Sequence, residues 1–365
     1  MKSSGYCMIS SGGHGIFLKD FGLSLDNSHP EADVVFVSHA HADHLPRNRS
    51  CAAVCSAPTL AFMQKRGYKG DAYVLDWQTP TSLESIREYF GIPHGGQSTA
   101  KGLEKGPEKP STRDATLTLY PAGHILGSAM ILIESEDGAL LYTGDVKSPA
   151  SPATEGVVWP SNVDELIIEA TFGLPIYKWR PTHEIQQDML AFAKETLEAG
   201  ETPLFLGYNL GKAQEILHLL EPMDHRKMIH GGGYPYCEVY QQAGISLGNV
   251  EPYDRAHCEG AILVGPTSVL ASGFASNVER LRVAQCSGWA ALASRRTQLN
   301  LDRGFALSDH LDFFELMDVC DALQPRTIHI THSPTPDVVA HFLEQRGHHA
   351  QFLNLTMEQE EELDG

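Results

Sequence analysis

The 365-residue sequence has no apolar run long enough to cross a bilayer as a helix, which excludes a helical membrane span. It has little cysteine. The seven cysteines, an odd number scattered along the chain, argue against a disulfide framework and make a reducing cytoplasm the expected setting. Cys51 and Cys55 lie four apart with no second pair after them, so they read as small buried hydrophobes rather than metal ligands. Positive charge is also scarce. Lys and Arg total 27 against 46 Asp and Glu, a net charge of −19. A long polyanion favours a basic surface, so this balance runs against a nucleic-acid partner. Two features offset it: divalent cations would add positive charge where it matters most, and part of the acid is gathered in the run Glu358–Asp364. The segment Met1–Cys7 lacks the apolar core of a signal peptide. At this length two structural units and a sizeable core are expected. An apolar fraction of 42% with 33 glycines suits a turn-rich globular protein.

What is present is concentrated in one stretch. Val34 to Val37 reads as a buried strand and runs straight into His39, His41, Asp43 and His44. Side chains of an extended chain repeat every second residue, so His39 and His41 share one side. Asp43 and His44 turn away and can face a second ion close by. Imidazole and carboxylate together suit zinc, manganese or iron. The alternative, a His-rich surface loop, lacks the buried strand that gives a metal motif its context.

Further candidates follow in chain order. Asp26, or its rival Asp20, ends an early apolar run. A helix is expected over 57–67, with Leu60, Phe62 and Met63 inward and Gly67 as its stop. The polar, Gly/Pro/Lys-rich stretch from Gly95 to Asp114 reads as a mobile loop with Lys101, Lys105 and Lys109 exposed and His94 at its edge outside any site. Thr116–Tyr120 alternates as a strand and leads to His124, framed by glycines that let it approach a metal closely. A hairpin over Ala129–Glu134 and Ala139–Thr143 leads to Asp145, a strand-end carboxylate able to bridge two cations, with Lys147 just beyond. Glu169 closes a buried strand. A helix over 182–198, a strand over Pro203–Gly207, a helix over 211–220 and a strand over Ala261–Gly265 read as a small α/β unit. Within it, backbone N–H groups at a helix start plus Lys212 form a natural phosphate seat. Arg295, Arg296 and Arg303 are the densest positive charge. Ser308 or Asp309 would cap a helix whose partly positive end lowers the basicity of His310. A last strand carries His329, read as structural, and ends at His332.

His39-Ala40-His41-Ala42-Asp43-His44 resembles the HxHxDH signature of the metallo-β-lactamase superfamily. Glu169-Ala-Thr-Phe-Gly resembles the acidic motif that opens the β-CASP insertion of its nucleic-acid-cleaving branch. Ser287-Gly288-Trp289 and Asp302-Arg303-Gly304-Phe305-Ala306-Leu307-Ser308-Asp309-His310 are similar to bacterial ligase-associated DNA exonucleases, whose arginine cluster is longer. Gly207-Tyr-Asn-Leu-Gly-Lys212 resembles an element of the DNA-directed members. The resemblance implies an α/β fold: a metallo-β-lactamase αββα sandwich with an inserted α/β β-CASP-like cap. The core would comprise residues 1–170 and 300–365, and the cap residues 171–299.

The resemblance also implies roles. His39, His41, His124 and Asp145 would bind one divalent ion, and Asp43, His44, His332 and the shared Asp145 a second, most suitably zinc, with manganese or iron as alternatives. Water activated between the ions would attack a phosphodiester, with Asp43 also in a catalytic role. His310 would be the general acid, oriented by Glu169. Asp26 or Asp20 would orient the metal-binding loop. The expected function is a cytoplasmic DNA exonuclease acting on single strands, with a DNA ligase as a partner and no membrane contact. Lys212, Arg295, Arg296 and Arg303 would touch substrate phosphate. The alternatives are an RNA-processing nuclease of the same architecture, a non-catalytic β-CASP binding subunit, and a small-molecule thioester hydrolase.

Overall fold

The computed structural model describes residues 8–10, 15–92 and 113–353, with the backbone alone for 8–10, 293, 295 and 296. The expected loop lysines Lys101, Lys105 and Lys109, His94 and the acidic run from Glu358 lie outside the described residues.

Three sheets organise the chain. The first holds Met8–Ser10, Ile16–Leu18, Leu23–Leu25, Val34–Phe36, Ala53–Cys55 and Ala72–Val74 in sequential order. The second runs Ala350–Phe352, Thr327–Thr331, Glu165–Glu169, Gly138–Tyr142, Ala129–Ser135, Thr116–Pro121, Thr81–Ser82. The third, entirely parallel, runs Val250–Pro252, Lys227–Ile229, Ile262–Gly265, Thr202–Leu206, Leu281–Cys286, Arg303–Phe305.

Strand alternation assigns each residue to a layer. Val34 and Phe36 pack between the first two sheets with Leu119, Ile131, Leu140 and Ile167. Their neighbours Val35 and Val37 face the other way, against Phe62 and Met63 of the helix Ala57–Lys65. Likewise Leu166 and Ile168 turn from Ile167 toward Leu316, Met317, Val339 and Leu343 on the helices Phe313–Leu323 and Pro336–Gln345. The result is helix, sheet, sheet, helix. Each fully buried Val, Leu, Ile or Phe contributes about 1.5–3 kcal/mol to this packing.

The third sheet does not stand apart. Phe205, Ile216, Ile229, Val264 and Phe305 belong to the same apolar cluster as Val35, Val37 and Phe62. The inserted unit therefore shares a core with the outer face of the first sheet. Its helix Thr182–Glu198 matches the expected 182–198, and Lys212–Leu219 lies within the expected 211–220. Its sheet continues through Arg303–Phe305, past the boundary expected at residue 299.

One element start differs. The helix after His310 runs Phe313–Leu323, and its cap is Asp312 rather than Ser308 or Asp309. Asp312 Oδ1 accepts from the Glu315 N–H at 2.8 Å, and Glu315 Oε2 accepts from the Asp312 N–H at 2.9 Å, a reciprocal capping box. Asp309 and His310 are thereby left outside the helix, where long-range partners hold them.

Candidate metal centre

Strands 116–121, 138–142, 165–169 and 327–331 all point the same way: the first two are both antiparallel to Ala129–Ser135, and the others pair in parallel. Their carboxyl ends form one edge, the usual place for a site in an open sheet. His124, Asp145, Glu169 and His332 lie at or just past those ends. The His39–His44 turn meets them from the first sheet. Gly144 (φ 53°) permits the approach, since a Cβ there would lie 2.6 Å from Cβ of Ser38.

Four ligand atoms converge. His39 Nε2 is 3.1 Å from His41 Nδ1, and His124 Nε2 is 3.2 Å from the same Nδ1. Asp145 Oδ2 lies 3.6 Å from His39 Nε2 and 3.8 Å from His124 Nε2. Tetrahedral ligands at the usual zinc–nitrogen length stand about 3.3 Å apart, so these side chains fit one metal ion. All four residues are buried. Each imidazole is fixed by its outer nitrogen: His39 Nδ1 by Ser38 Oγ at 3.0 Å, His41 Nε2 by the Leu210 carbonyl at 3.1 Å, His124 Nδ1 by the Asp309 carbonyl at 2.9 Å. Such outer contacts set tautomer and ring orientation. Burial pulls His39 and His124 below the ordinary imidazole value, which favours the neutral, metal-binding form.

Members of the second expected group lie beside it. His44 Nε2 lies 3.4 Å from Asp145 Oδ2 and 3.6 Å from Asp43 Oδ2. The His332 ring is 5.3 Å from the His44 ring, and its buried Nδ1 has no hydrogen-bond partner among the described residues. Burial opposes protonation of His44, but Asp145, Asp43 and Asp26 outweigh it and raise the imidazole well above its ordinary value. Burial likewise opposes ionisation of Asp145, yet His44 and His39 hold its carboxyl well below the usual range. Three carboxylates around one imidazole leave this pocket in want of positive charge, which fits a second cation.

Asp26, not Asp20, orients the loop. Its carboxylate accepts four hydrogen bonds at 2.7 Å: from the Ser38 N–H, Ser38 Oγ, His44 Nδ1 and the Tyr142 hydroxyl. Asp20 sits in a short 3-10 turn, and its carbonyl accepts from the Arg113 N–H.

His310 and Glu169 also meet. His310 Nδ1 is 2.9 Å from Glu169 Oε1, and the His310 ring centroid is 4.9 Å from that of His124. Burial alone would lower His310, but Glu169 outweighs it and raises the imidazole well above its ordinary value. The lowered basicity expected from a helix end is not the outcome: His310 lies outside the helix, which Asp312 caps, and its value is raised. An aromatic cluster backs the ring: Phe172 is 6.0 Å from His310 and 4.7 Å from Trp289, and Trp179 Nε1 donates to the His310 carbonyl at 3.0 Å.

Of the cations expected to meet phosphate, Lys212 is enclosed by carboxylates. Lys212 is buried, its ammonium against Glu215 and 3.6 Å from Asp309 Oδ2, so a phosphate would have to displace two carboxylates. The Gly211 N–H, expected to face phosphate, donates to Gln214 Oε1 at 2.8 Å. Lys147 is buried against Glu315 at 3.2 Å. Arg303 is exposed on the edge strand of the third sheet, its guanidinium 6.0 Å from the Phe305 ring centre. Arg295 and Arg296 lie on the short helix Ala293–Gln298. His329 is held by Glu165 at 3.0 Å and Gln351 at 2.8 Å, a structural placement as expected. Sequence reasoning missed Ser38, Tyr142, Leu210 and Asp309 as supports. Only Ser38 and Asp309 carried a signal, each adjoining a site histidine.

A paired-sheet core, an edge cluster of histidines and aspartates, and an inserted parallel α/β unit define a metal-binding class. The chain has the fold of the β-CASP branch of the metallo-β-lactamase superfamily, and its homologues are proteins of that branch. No family model matches it. It is 32% identical to the probable DNA ligase of Opitutus terrae over 335 residues, 92% of this chain and 30% of that protein. The RNase J-like protein of Methanocaldococcus jannaschii is 29% identical over 219 residues, 56% of this chain and 49% of that protein. The cleavage and polyadenylation specificity factor subunit 3 of Dictyostelium discoideum is 25% identical over 230 residues, 59% of this chain and 28% of that protein. The chain thus spans less than half the length of each of these relatives. A solved structure, a protein of unknown function from Enterococcus faecalis, shares the fold with a TM-score of 0.55 at 12% identity, covering 89% of this chain and 80% of that one.

Proposed function

We propose that this protein hydrolyses phosphodiester bonds of nucleic acid with two divalent metal ions, zinc being the best match to the donor set, and that it removes nucleotides from an end of DNA. The observation that carries the reading is the convergence of His39, His41, His124 and Asp145 at tetrahedral spacing beside the His310–Glu169 pair. When bound, the ions would supply Lewis acidity and lower the pKa of water.

The chain's own residues do the rest. His39, His41, His124 and Asp145 would hold one ion, and Asp43, His44, His332 and Asp145 the other. Asp43, less buried than its neighbours, accepts a proton from the attacking water. Glu169 accepts from His310 Nδ1–H and stabilises the imidazolium, whose Nε2–H gives its proton to the departing oxygen and leaves the neutral ring. DNA is favoured because the relative named as a probable DNA ligase matches 92% of this chain, whereas relatives with RNA-processing names match little more than half. The same likeness supports a DNA ligase as partner. Those RNA-processing names favour a second reading, an RNA nuclease of the same architecture.

Matched end-labelled single-stranded DNA and RNA of one sequence, with added zinc or manganese, test this. Stepwise shortening of DNA that is lost with a chelator and in Asp145→Ala is expected. Faster cleavage of RNA would move the conclusion to the second reading, and cleavage of neither would overturn both.

A further inference from the structure

We infer that the inserted third-sheet unit is part of the metal centre itself: the Leu210 carbonyl, held by Gly211 and Gln214, is the outer contact that positions the ligand His41. This rests on the metal reading of the cluster and is independent of which substrate is cut.

His41 turns Nδ1 inward, toward His39 and His124, so Nε2 carries the N–H that it donates to Leu210 at 3.1 Å. The acceptor comes from 169 residues further along the chain. The loop around it is built for that contact. Gly211 has φ 89° and ψ −76°, the γ-turn region that glycine alone enters readily, and this turn sets the direction of the preceding carbonyl. A Cβ at Gly211 would lie 2.3 Å from Cγ2 of Ile125, the residue after His124. Gln214 is fully buried and clamps the loop. Its Oε1 accepts from Gly211, and its Nε2 donates to Asn209 at 3.0 Å and Gly233 at 3.2 Å. Glu215 ties the following helix to the core through Ser151 at 2.8 Å. The segment that sequence alone offered as a phosphate seat is therefore a strut for a ligand. Outer contacts of this kind are worth about 10–100-fold in metal affinity. Linkage makes the effect reciprocal, so metal in the centre must steady residues 208–214.

The test uses the full chain and Zn2+ alone. Zinc affinity is measured by competition with a chromophoric chelator for wild type, Gly211→Ala, Gln214→Met and Gly260→Ala. Gly260 also has positive φ, with nothing within 4 Å of its would-be Cβ. Amide deuterium exchange of wild type is followed with and without zinc. Gly211→Ala and Gln214→Met should bind zinc about 10-fold or more weakly, Gly260→Ala like wild type, and zinc should slow exchange at 208–214. Wild-type affinity in Gly211→Ala and Gln214→Met would overturn the inference. Should both variants fail to fold, unchanged exchange at 208–214 in zinc-loaded wild type would do so. A wild type that binds no zinc sinks the metal reading as well, which separates the two failures.

Discussion

His310 shows how one neighbour decides a side chain's chemistry. Buried alone, an imidazole sheds its proton; facing Glu169 at 2.9 Å, it keeps it. A proton donor must be protonated to work, so activity should fall as pH rises through the raised value. In Glu169→Gln burial prevails, the value drops, and the alkaline limb of the pH–rate profile should move to lower pH. An unmoved limb would remove Glu169 from this role. His310→Ala should keep both metals and lose about 10²–10⁴ in kcat; an emptied second metal position would show that His310 binds rather than donates. At this scale the sequence was partly legible. The HxHxDH run announces itself, and Asp26 is the first candidate to orient the loop, but Asp20 stays a rival because nothing local shows that Ser38, His44 and Tyr142 will all donate to Asp26.

Elements were legible where period and packing agree and obscure where distant residues intervene. The strand Val34–Phe36 and the helix Thr182–Glu198 follow their apolar patterns. The helix start at Phe313 does not follow from its neighbours. Ser308 and Asp309 are fair caps locally, but Asp309 is drawn to His124 and Lys212, and the cap passes to Asp312. Lys212 reads as a phosphate ligand until Glu215 and Asp309 close on it. Close packing also explains Gly288. A Cβ there would sit 2.4 Å from the Phe172 ring, within the aromatic cluster behind His310. Gly288→Ala should therefore lower stability by about 1–3 kcal/mol through overpacking and slow turnover by shifting Phe172. Denaturant melts and kcat check this, and a variant with wild-type values for both would disconnect the cluster from the site.

The whole molecule carries a net charge of −19. On the proposed reading, so acidic a protein would meet nucleic acid at few phosphates, near its metal ions. Each neutralised phosphate of a single strand contributes about 0.7 to the slope of log affinity against log salt, so a slope no steeper than about 2 is expected for DNA binding. A steep slope would reveal a basic track that grips the strand at many phosphates. The same charge is why composition alone argued against a nucleic-acid partner, whereas motifs argued for one.

Metal stoichiometry tests the account at its centre. Zinc-reconstituted, folded wild type, dialysed free of loose metal and analysed by inductively coupled plasma mass spectrometry, should carry two ions per chain, and folded Asp145→Ala should carry none. A folded wild type without stoichiometric metal, or an Asp145→Ala variant that keeps both ions, would contradict the account.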